Sequence, residues 1–524
     1  MRGINYIRKT ALSFMAVGVV AINGNVAAPS VSEMYLYVMS RTPQAVLQNG
    51  RWDTLKQNSP VRAIHAALLP SGKVLLVAGS GNSKDNFAAK SFKTVLWNPK
   101  DSSFKDIFTP ADLFCSGHAF LPDGRVLIAG GTKAYEDLSV RPKKDYQGIK
   151  DAFIFDTWKE RYERVGSLNE GRWYPTLTGL PNGDVLAASG LDDKGKIIQG
   201  NTEIFELDKN IWVNRPDLNH KFATYPSLIL AADGRLFFSG SNSGYGTPDF
   251  GRTPGLWNLA NNDFQVTPGL HDPHMTETSS SVLLPPAQDQ RVMIMGGGGT
   301  GDSNNATKRV DIIDLKAAAP HFESAAPLEH GVRYPSAVIL PDDTVLQTGG
   351  SAGYRRNDVL VAQIYHPTTN TWEKVADPWV GRNYHSEALL LPDGRVATFG
   401  SDPLGKQFEM RIEVYSPSYL FKTKRPELKY VPKVAERGQQ FEFSVSSSSP
   451  IASAKLMRPS AVTHVTDVEQ RSVKLQISEH TENNSTHFHS VIPQNSALLP
   501  SGWYMLFVTD SSGIPSQGQW VQVK

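Results

Sequence analysis

Cys115 is the single cysteine in a chain of 524 residues, within "DLFCSGHAFLPDGRVLIAGGT". With no second cysteine it cannot serve a disulfide inside the chain. A phrase recurs along the sequence. Six residues before its leading leucine, Cys115 is level with Ala63, Tyr174, Thr224, Thr278, Tyr334 and His385, and Tyr384 directly precedes the last. A thiol, phenols and an imidazole at one offset of a repeat are the ingredients of a metal site. Imidazole suits zinc, copper, iron and nickel, and oxygen donors beside it suit Cu(II). Taken singly, each residue has an ordinary reading: Cys as a small buried apolar side chain, Tyr as a packed aromatic with a hydrogen-bonded tip, and His as a structural side chain.

The phrase that sets this offset has the form LP-(D/S/N)-G-x-V-L-x-x-x-G. It reads "LLPSGKVLLVAG", "FLPDGRVLIAGG", "GLPNGDVLAASG", "ILAADGRLFFSG", "LLPPAQDQRVMIMGGGG", "ILPDDTVLQTGG" and "LLPDGRVATFG". Its leading leucines are Leu69, Leu121, Leu180, Leu230, Leu284, Leu340 and Leu391, at spacings of 52, 59, 50, 54, 56 and 51 residues. Each copy predicts an apolar hairpin turned at Asp-Gly or an equivalent. Segments such as "AFIFDTWKERYERV" and "AQIYHPTTNTWEKV" supply outer strands between copies. Repeats of this period with glycine doublets predict a seven-bladed kelch-type β-propeller over residues 49–415, in preference to a β-solenoid or stacked sandwiches. After residue 415 the runs "QQFEFSVSS", "SVKLQIS" and "GWYMLFVTD" alternate in the manner of a small immunoglobulin-like β-sandwich over residues 416–524. The fold class is all-β throughout.

Gly 43 and Pro 34 agree with a turn-rich β chain, and a net charge of +2 without a long basic run gives no footprint for nucleic acid. Residues 1–28 place Arg2, Arg8 and Lys9 before an apolar run from Ala11 to Ile22, the plan of a bacterial-type secretory signal. Pro29 directly after Ala27 and Ala28 is awkward for cleavage, so an uncleaved N-terminal anchor stays open as the one route to a membrane. Residues 29–48 read as a linker. The chain is expected to be exported (secreted, periplasmic or at the cell surface) and monomeric.

Four segments together resemble the copper radical oxidases, the family that includes galactose oxidase and glyoxal oxidase: "FCSGHAFLPDGRVLIAGG", "GRWYPTLTGLPNGDVLAASG", "GRNYHSEALLLPDGRV" and "AVTHVTDVEQRSVKL". The resemblance runs from about residue 50 to the C-terminus. It implies one copper ion held by Tyr174, Tyr384, His385 and His464, and a thioether that joins Cys115 to the ring of Tyr174 as a self-derived radical cofactor. Tyr384 is implied as the axial ligand and proton acceptor. His464 reads in isolation as a surface-loop histidine; the resemblance implies that its loop enters the propeller to complete the site. The implied reaction converts small aldehydes or primary alcohols to acids or aldehydes and reduces O2 to H2O2.

Two features of galactose oxidase are missing. Where a tryptophan stacks over the thioether, this chain reads "AASGLDDKGK", which leaves Asp192 there; where a substrate-binding arginine stands, it reads "KFATYPSLIL", which leaves Tyr225. The first departure resembles the glyoxal oxidase branch. Phe87 in "SKDNFAAK" is expected at the pocket rim with Tyr225, and Tyr334 and Asp192 around the metal ligands. A non-catalytic kelch propeller that binds glycan or protein is the alternative, and a metal hydrolase a third; the second would not need the whole set of site residues, and the third leaves Cys115 without a role.

Overall fold

The computed structural model describes residues 30–422, 424–482 and 485–524. The expected signal, residues 1–28, lies outside them. Residues Met1–Val46 and Leu47–Lys524 form two compact units. In the first, Ser30 and Glu33 form a reciprocal capping box that starts the helix Val31–Met39. A second helix, Pro43–Asn49, follows, so the stretch expected as a linker is largely helical. Among the described residues no helix is long and apolar enough to cross a membrane.

Each recurring phrase forms the first two strands of an antiparallel sheet, giving seven such sheets between Arg51 and Ser416, six of four strands and the first widened to five by residues Ala461–Thr463. The first strands are His65–Leu68, Gly117–Phe120, Thr176–Gly179, Leu228–Leu230, Ser280–Leu283, Ser336–Ile339 and Ser386–Leu390. The "LPDG" turn recurs for a local reason. Leu121 donates its N–H to the Arg125 carbonyl, Asp123 accepts from the Arg125 N–H, and Gly124 takes φ 87°, a conformation that favours glycine. The first two strands of each phrase are buried almost throughout, as their continuous apolar runs require, whereas outer strands such as Ser103–Phe108 are mostly exposed.

Neighbouring sheets meet along these first strands. Thr176–Gly179 packs between Gly117–Phe120 and Leu228–Leu230, and Ser336–Ile339 between Ser280–Leu283 and Ser386–Leu390, which also packs on His65–Leu68. The Ser239 and Ser281 hydroxyls bridge the fourth and fifth sheets at 2.6 Å. The strand Arg51–Thr54 returns from the start of this region to pair with Glu413–Ser416, so the last sheet holds both of the region's ends.

From Glu427 the chain forms two further sheets, of four and five strands. Phe441, Phe443, Phe488, Leu456, Val473, Tyr504 and Leu506 fill the core between them. One excursion leaves this pair. Residues Ala461–Thr463 pair with His65–Leu68, His65 opposite Thr463, and extend the first sheet toward Gly117–Phe120. Side chains fix the base of the excursion: Glu469 accepts from the Phe120 N–H at 3.0 Å, and Gln470 pairs with both Ile339 N–H and Ala337 C=O.

Candidate metal centre

The offset that aligns Cys115 with its counterparts has a physical signature. Cys115, Tyr174, Tyr225, Thr278, Tyr334 and His385 all adopt left-handed backbone, with φ between 48° and 65°. Such conformations cost on the order of 1–3 kcal/mol each for residues other than glycine and collect where the surrounding fold fixes them. Here each is tied to its neighbour: Tyr174 N–H donates to Cys115 C=O at 2.9 Å, Tyr225 N–H to Tyr174 C=O at 3.0 Å, and Tyr334 N–H to Thr278 C=O at 2.9 Å. The fourth position is Tyr225, not Thr224. The phrase "ILAADG" carries one extra residue, so Ala231 rather than Leu230 closes its turn, donating to Arg235 C=O as Leu121 does to Arg125.

His464 reaches the same place from the C-terminal region. Thr463 and Thr466 exchange both backbone hydrogen bonds, and the two residues between them, His464 and Val465, have φ of 51° and 59°. This is the backbone of a tight hairpin turn usually built from Asn and Gly. Its use by a histidine and a β-branched residue marks a strained tip held in place by the strands around it.

The side chains converge. His464 Nε2 lies 2.9 Å from Tyr174 Oη and 3.9 Å from Cys115 Sγ, and the Tyr174 and Tyr384 hydroxyls are hydrogen-bonded to each other. Cys115 and Tyr174 also belong to one buried cluster of packed side chains. Ligand atoms of Cys115, His385 and His464 all lie within 4.8 Å of one another. Cys115, Tyr174, His385 and His464 are buried, while Tyr384 is half-buried and forms the accessible side.

The imidazoles are oriented to present Nε2. The Thr463 hydroxyl donates to Ile64 C=O at 2.9 Å, so its oxygen is left to accept from His464 Nδ1–H at 2.7 Å. His385 Nδ1 faces Asp402 Oδ2 at 3.3 Å outside hydrogen-bond geometry, and among the described residues neither of its buried ring nitrogens has a hydrogen-bond partner. Burial holds His385 at about 4 and His464 well below the ordinary imidazole range, so both are neutral with a free lone pair. Burial, reinforced by the neighbouring Cys115, pushes Tyr174 and Tyr384 well above the ordinary phenol range. Two neutral imidazoles and two phenols form an N2O2 donor set suited to Cu(II), and the orphaned His385 Nε2 is the buried atom such an ion would satisfy.

The residues expected around this set fare unequally. Asp192 takes no part: its carboxylate accepts the N–H groups of Lys194 and Lys196 at 2.8 Å each and closes their own turn. The aromatic cover comes from Trp173, whose ring lies on Tyr174 at 3.8 Å and 5°. Tyr146 stacks on Trp173 in turn, at 4.3 Å and 6°. Tyr225 is buried, with its hydroxyl donating to Ser116 C=O at 2.7 Å and its ring against Tyr174 and His464. It supports those side chains and is not free to bind substrate, which corrects the expectation. Phe87 is half-buried on the short helix Lys84–Ala88 and leads through Tyr135 to Phe114 and Tyr146. Tyr334 meets Tyr384 ring to ring at 5.8 Å.

The sequence reading passed over several others. Arg355 lies over the Tyr384 ring at 4.6 Å and pairs with Asp402 at 2.9 Å. His65 and His118 are buried with their rings 5.1 Å apart, and Glu387 accepts the His464 N–H at 3.3 Å. The signal for the histidines was present: both lie in the apolar phrase just after the ring offset, where a polar residue needs a reason.

The glyoxal oxidase N-terminus family matches residues 91–419, and the galactose oxidase-like early set domain family matches residues 425–523. A galactose oxidase of Gibberella zeae is 24% identical over 551 residues, covering 99% of this chain and 77% of the relative. The aldehyde oxidase GLOX of Vitis pseudoreticulata is 26% identical over 550 residues, covering 90% of this chain and 97% of the relative. A fungal alcohol oxidase solved in complex with copper shares the fold, with a TM-score of 0.73 at 20% identity over 91% of this chain and all of that one.

Proposed function

Because the chain belongs to the glyoxal oxidase and galactose oxidase-like family of copper radical oxidases, we propose that it oxidises small aldehydes or primary alcohols and passes the electrons to O2, releasing H2O2. The proposal includes the architecture, a seven-bladed kelch-type propeller over residues 49–415 with an immunoglobulin-like sandwich over 416–524, and export of the chain as a monomer. Tyr174, Tyr384, His385 and His464 would hold one copper ion, with a thioether between Cys115 and Tyr174. The observation that carries this reading is the meeting of a thiol, two phenols and two Nε2-presenting imidazoles around one point, delivered by separate sheets and a strained hairpin tip.

Copper held there would supply a one-electron acceptor and a Lewis acid for the substrate oxygen. The chain's own residues do the rest. Tyr384 Oη, on the accessible side, would take the proton from the substrate hydroxyl, which a primary alcohol carries itself and an aldehyde carries as its hydrate, formed with one water. Once crosslinked and oxidised, Tyr174 would take a hydrogen atom from the substrate carbon. The sulfur of Cys115 would spread the unpaired spin and lower the oxidation potential of the ring, with Trp173 stacked on one face of it. Asp402 holds the His385 ring in orientation, as outer carboxylates do for metal-ligating histidines. Each turnover removes two electrons and two protons from the substrate, and both pairs leave with O2 as H2O2.

The side chains near Tyr384 indicate the substrate class. Arg355 is committed to Asp402, Tyr225 to Ser116, and the rim is aromatic from Phe87 to Tyr135 and Tyr146. The Tyr135 and Tyr146 hydroxyls are already paired with Ser80 and Asn82, so a polyol would compete for partners in use, and unpaired polar groups are penalised. Glyoxal, methylglyoxal, glycolaldehyde or simple primary alcohols should exceed galactose in kcat/KM by about tenfold or more, roughly 1.4 kcal/mol of transition-state discrimination. Peroxide release at matched concentrations measures it; galactose at parity or better would overturn the assignment.

A further inference from the structure

The C-terminal sandwich gathers a second set of ligands that has no residue in common with the first. In its four-stranded sheet, His480 on Ser478–Glu482 is directly opposite His487 on Ser485–Val491, and Glu442 on Gln440–Ser446 is directly opposite His489. Cross-strand partners share a face, as do residues two apart on one strand, so the four side chains stand on one side of the sheet. Phe441, Phe443 and Phe488, which alternate with them, fill the sandwich core on the other.

The polar atoms are close. His487 Nδ1 lies 2.9 Å and His489 Nδ1 3.7 Å from the Glu442 carboxylate. The His480 ring is 5.1 Å from His487 and stacks on His489 at 4.3 Å and 14°. Ligand atoms of Glu442, His480 and His487 all lie within 4.8 Å of one another, and His480 Nδ1 is buried with no hydrogen-bond partner among the described residues. Three imidazoles around one carboxylate exceed what a single His–Glu ion pair requires. Metal–nitrogen and metal–oxygen bonds of about 2.0–2.2 Å close this set with small side-chain rotations, because the strands already supply the register.

We propose that Glu442, His480 and His487, with His489 beside them, form a second, surface metal site for a divalent ion of the Zn2+ or Cu2+ class. A donor set of nitrogen and oxygen without thiolate suits both, and Cu2+ is bound more tightly than Zn2+ by such ligands in general. Because the ligands come from three strands, a bound ion ties them together across the sheet. The site shares no residue with the buried centre, so the chain binds more metal than one copper.

The test uses the full chain preloaded with one copper at the buried centre, dialysed in separate arms against Zn2+ and Cu2+, with metal per chain then counted by elemental analysis. One further ion per chain is expected in each arm. His480→Gln with His487→Gln should lose that ion and keep the first copper and the oxidase activity. No further ion in either arm, or a further ion retained by the variant, overturns the site. Should the variant not fold, X-ray absorption at the zinc edge of the unaltered protein decides: imidazole scattering supports the site, and a shell of oxygens alone overturns it.

Discussion

Protein treated with copper and O2 yields a peptide pair that joins Cys115 to Tyr174 and is lighter by two hydrogen atoms than the separate peptides. The bond forms between Sγ and a ring carbon; S–H and C–H are lost, and their two electrons and two protons reduce O2 to H2O2. The geometry favours it, since the two side chains pack in one buried cluster and the main chains of the two residues are hydrogen-bonded directly. Burial holds the thiol well above its ordinary value, so it stays protonated and unreactive until a metal is present. The crosslink closes a loop of about 60 residues, which restricts the unfolded chain by roughly 4 kcal/mol on a chain-entropy estimate and speeds migration on a denaturing gel. Cys115→Ser should abolish the shift and lower kcat by about 1,000-fold or more, ~4 kcal/mol of transition-state stabilisation. A free, alkylatable Cys115 in active copper-loaded protein contradicts the crosslink.

His464→Ala and Tyr384→Phe should fail in different ways. His464 stands at the tip of an excursion whose base is held by Glu469 and Gln470, so its removal leaves the seven sheets intact and takes away one nitrogen ligand together with the strained geometry that delivers it. Most copper should be lost, while circular dichroism and the melting transition stay near those of the parent. Tyr384→Phe keeps Tyr174, His385 and His464. It should retain copper and lose about 10²–10⁴ in kcat, the usual contribution of a positioned general base, with a smaller change in KM. Full copper and activity in His464→Ala would place the ion elsewhere, and an unimpaired Tyr384→Phe would remove the base from the mechanism.

Much of this was legible in the sequence, because a hairpin phrase with a glycine turn is a local signal repeated seven times. The spacing of Leu69 to Leu391 locates the inner strands, and counting from them locates Cys115, Tyr174, Tyr334 and His385. The count slipped where "ILAADG" holds an extra residue, and Thr224 was taken for Tyr225. Trp173 was missed for a different reason. Neighbours on a regular strand point to opposite faces, so the residue before Tyr174 has no reason to cover it; the left-handed φ of 65° at Tyr174 brings the two rings together. Asp192 was placed by analogy with another chain and belongs to its own turn. His464 could not be reached by counting at all, since it comes from outside the repeat, and the resemblance alone pointed to it. The excursion through residues 461–466 reads as a loop in sequence because its strand partner, His65–Leu68, lies about 400 residues away, beyond the range of any local pattern.

The measurement that bears most directly on the whole account is peroxide release from copper-loaded protein supplied with methylglyoxal and O2, with product acid and H2O2 quantified together. The account predicts one H2O2 per substrate oxidised, sustained over many turnovers, absent before copper is added and slowed by about 1,000-fold or more in Cys115→Ser. Equal activity in metal-free protein, or substrate oxidation without matching peroxide, would contradict it.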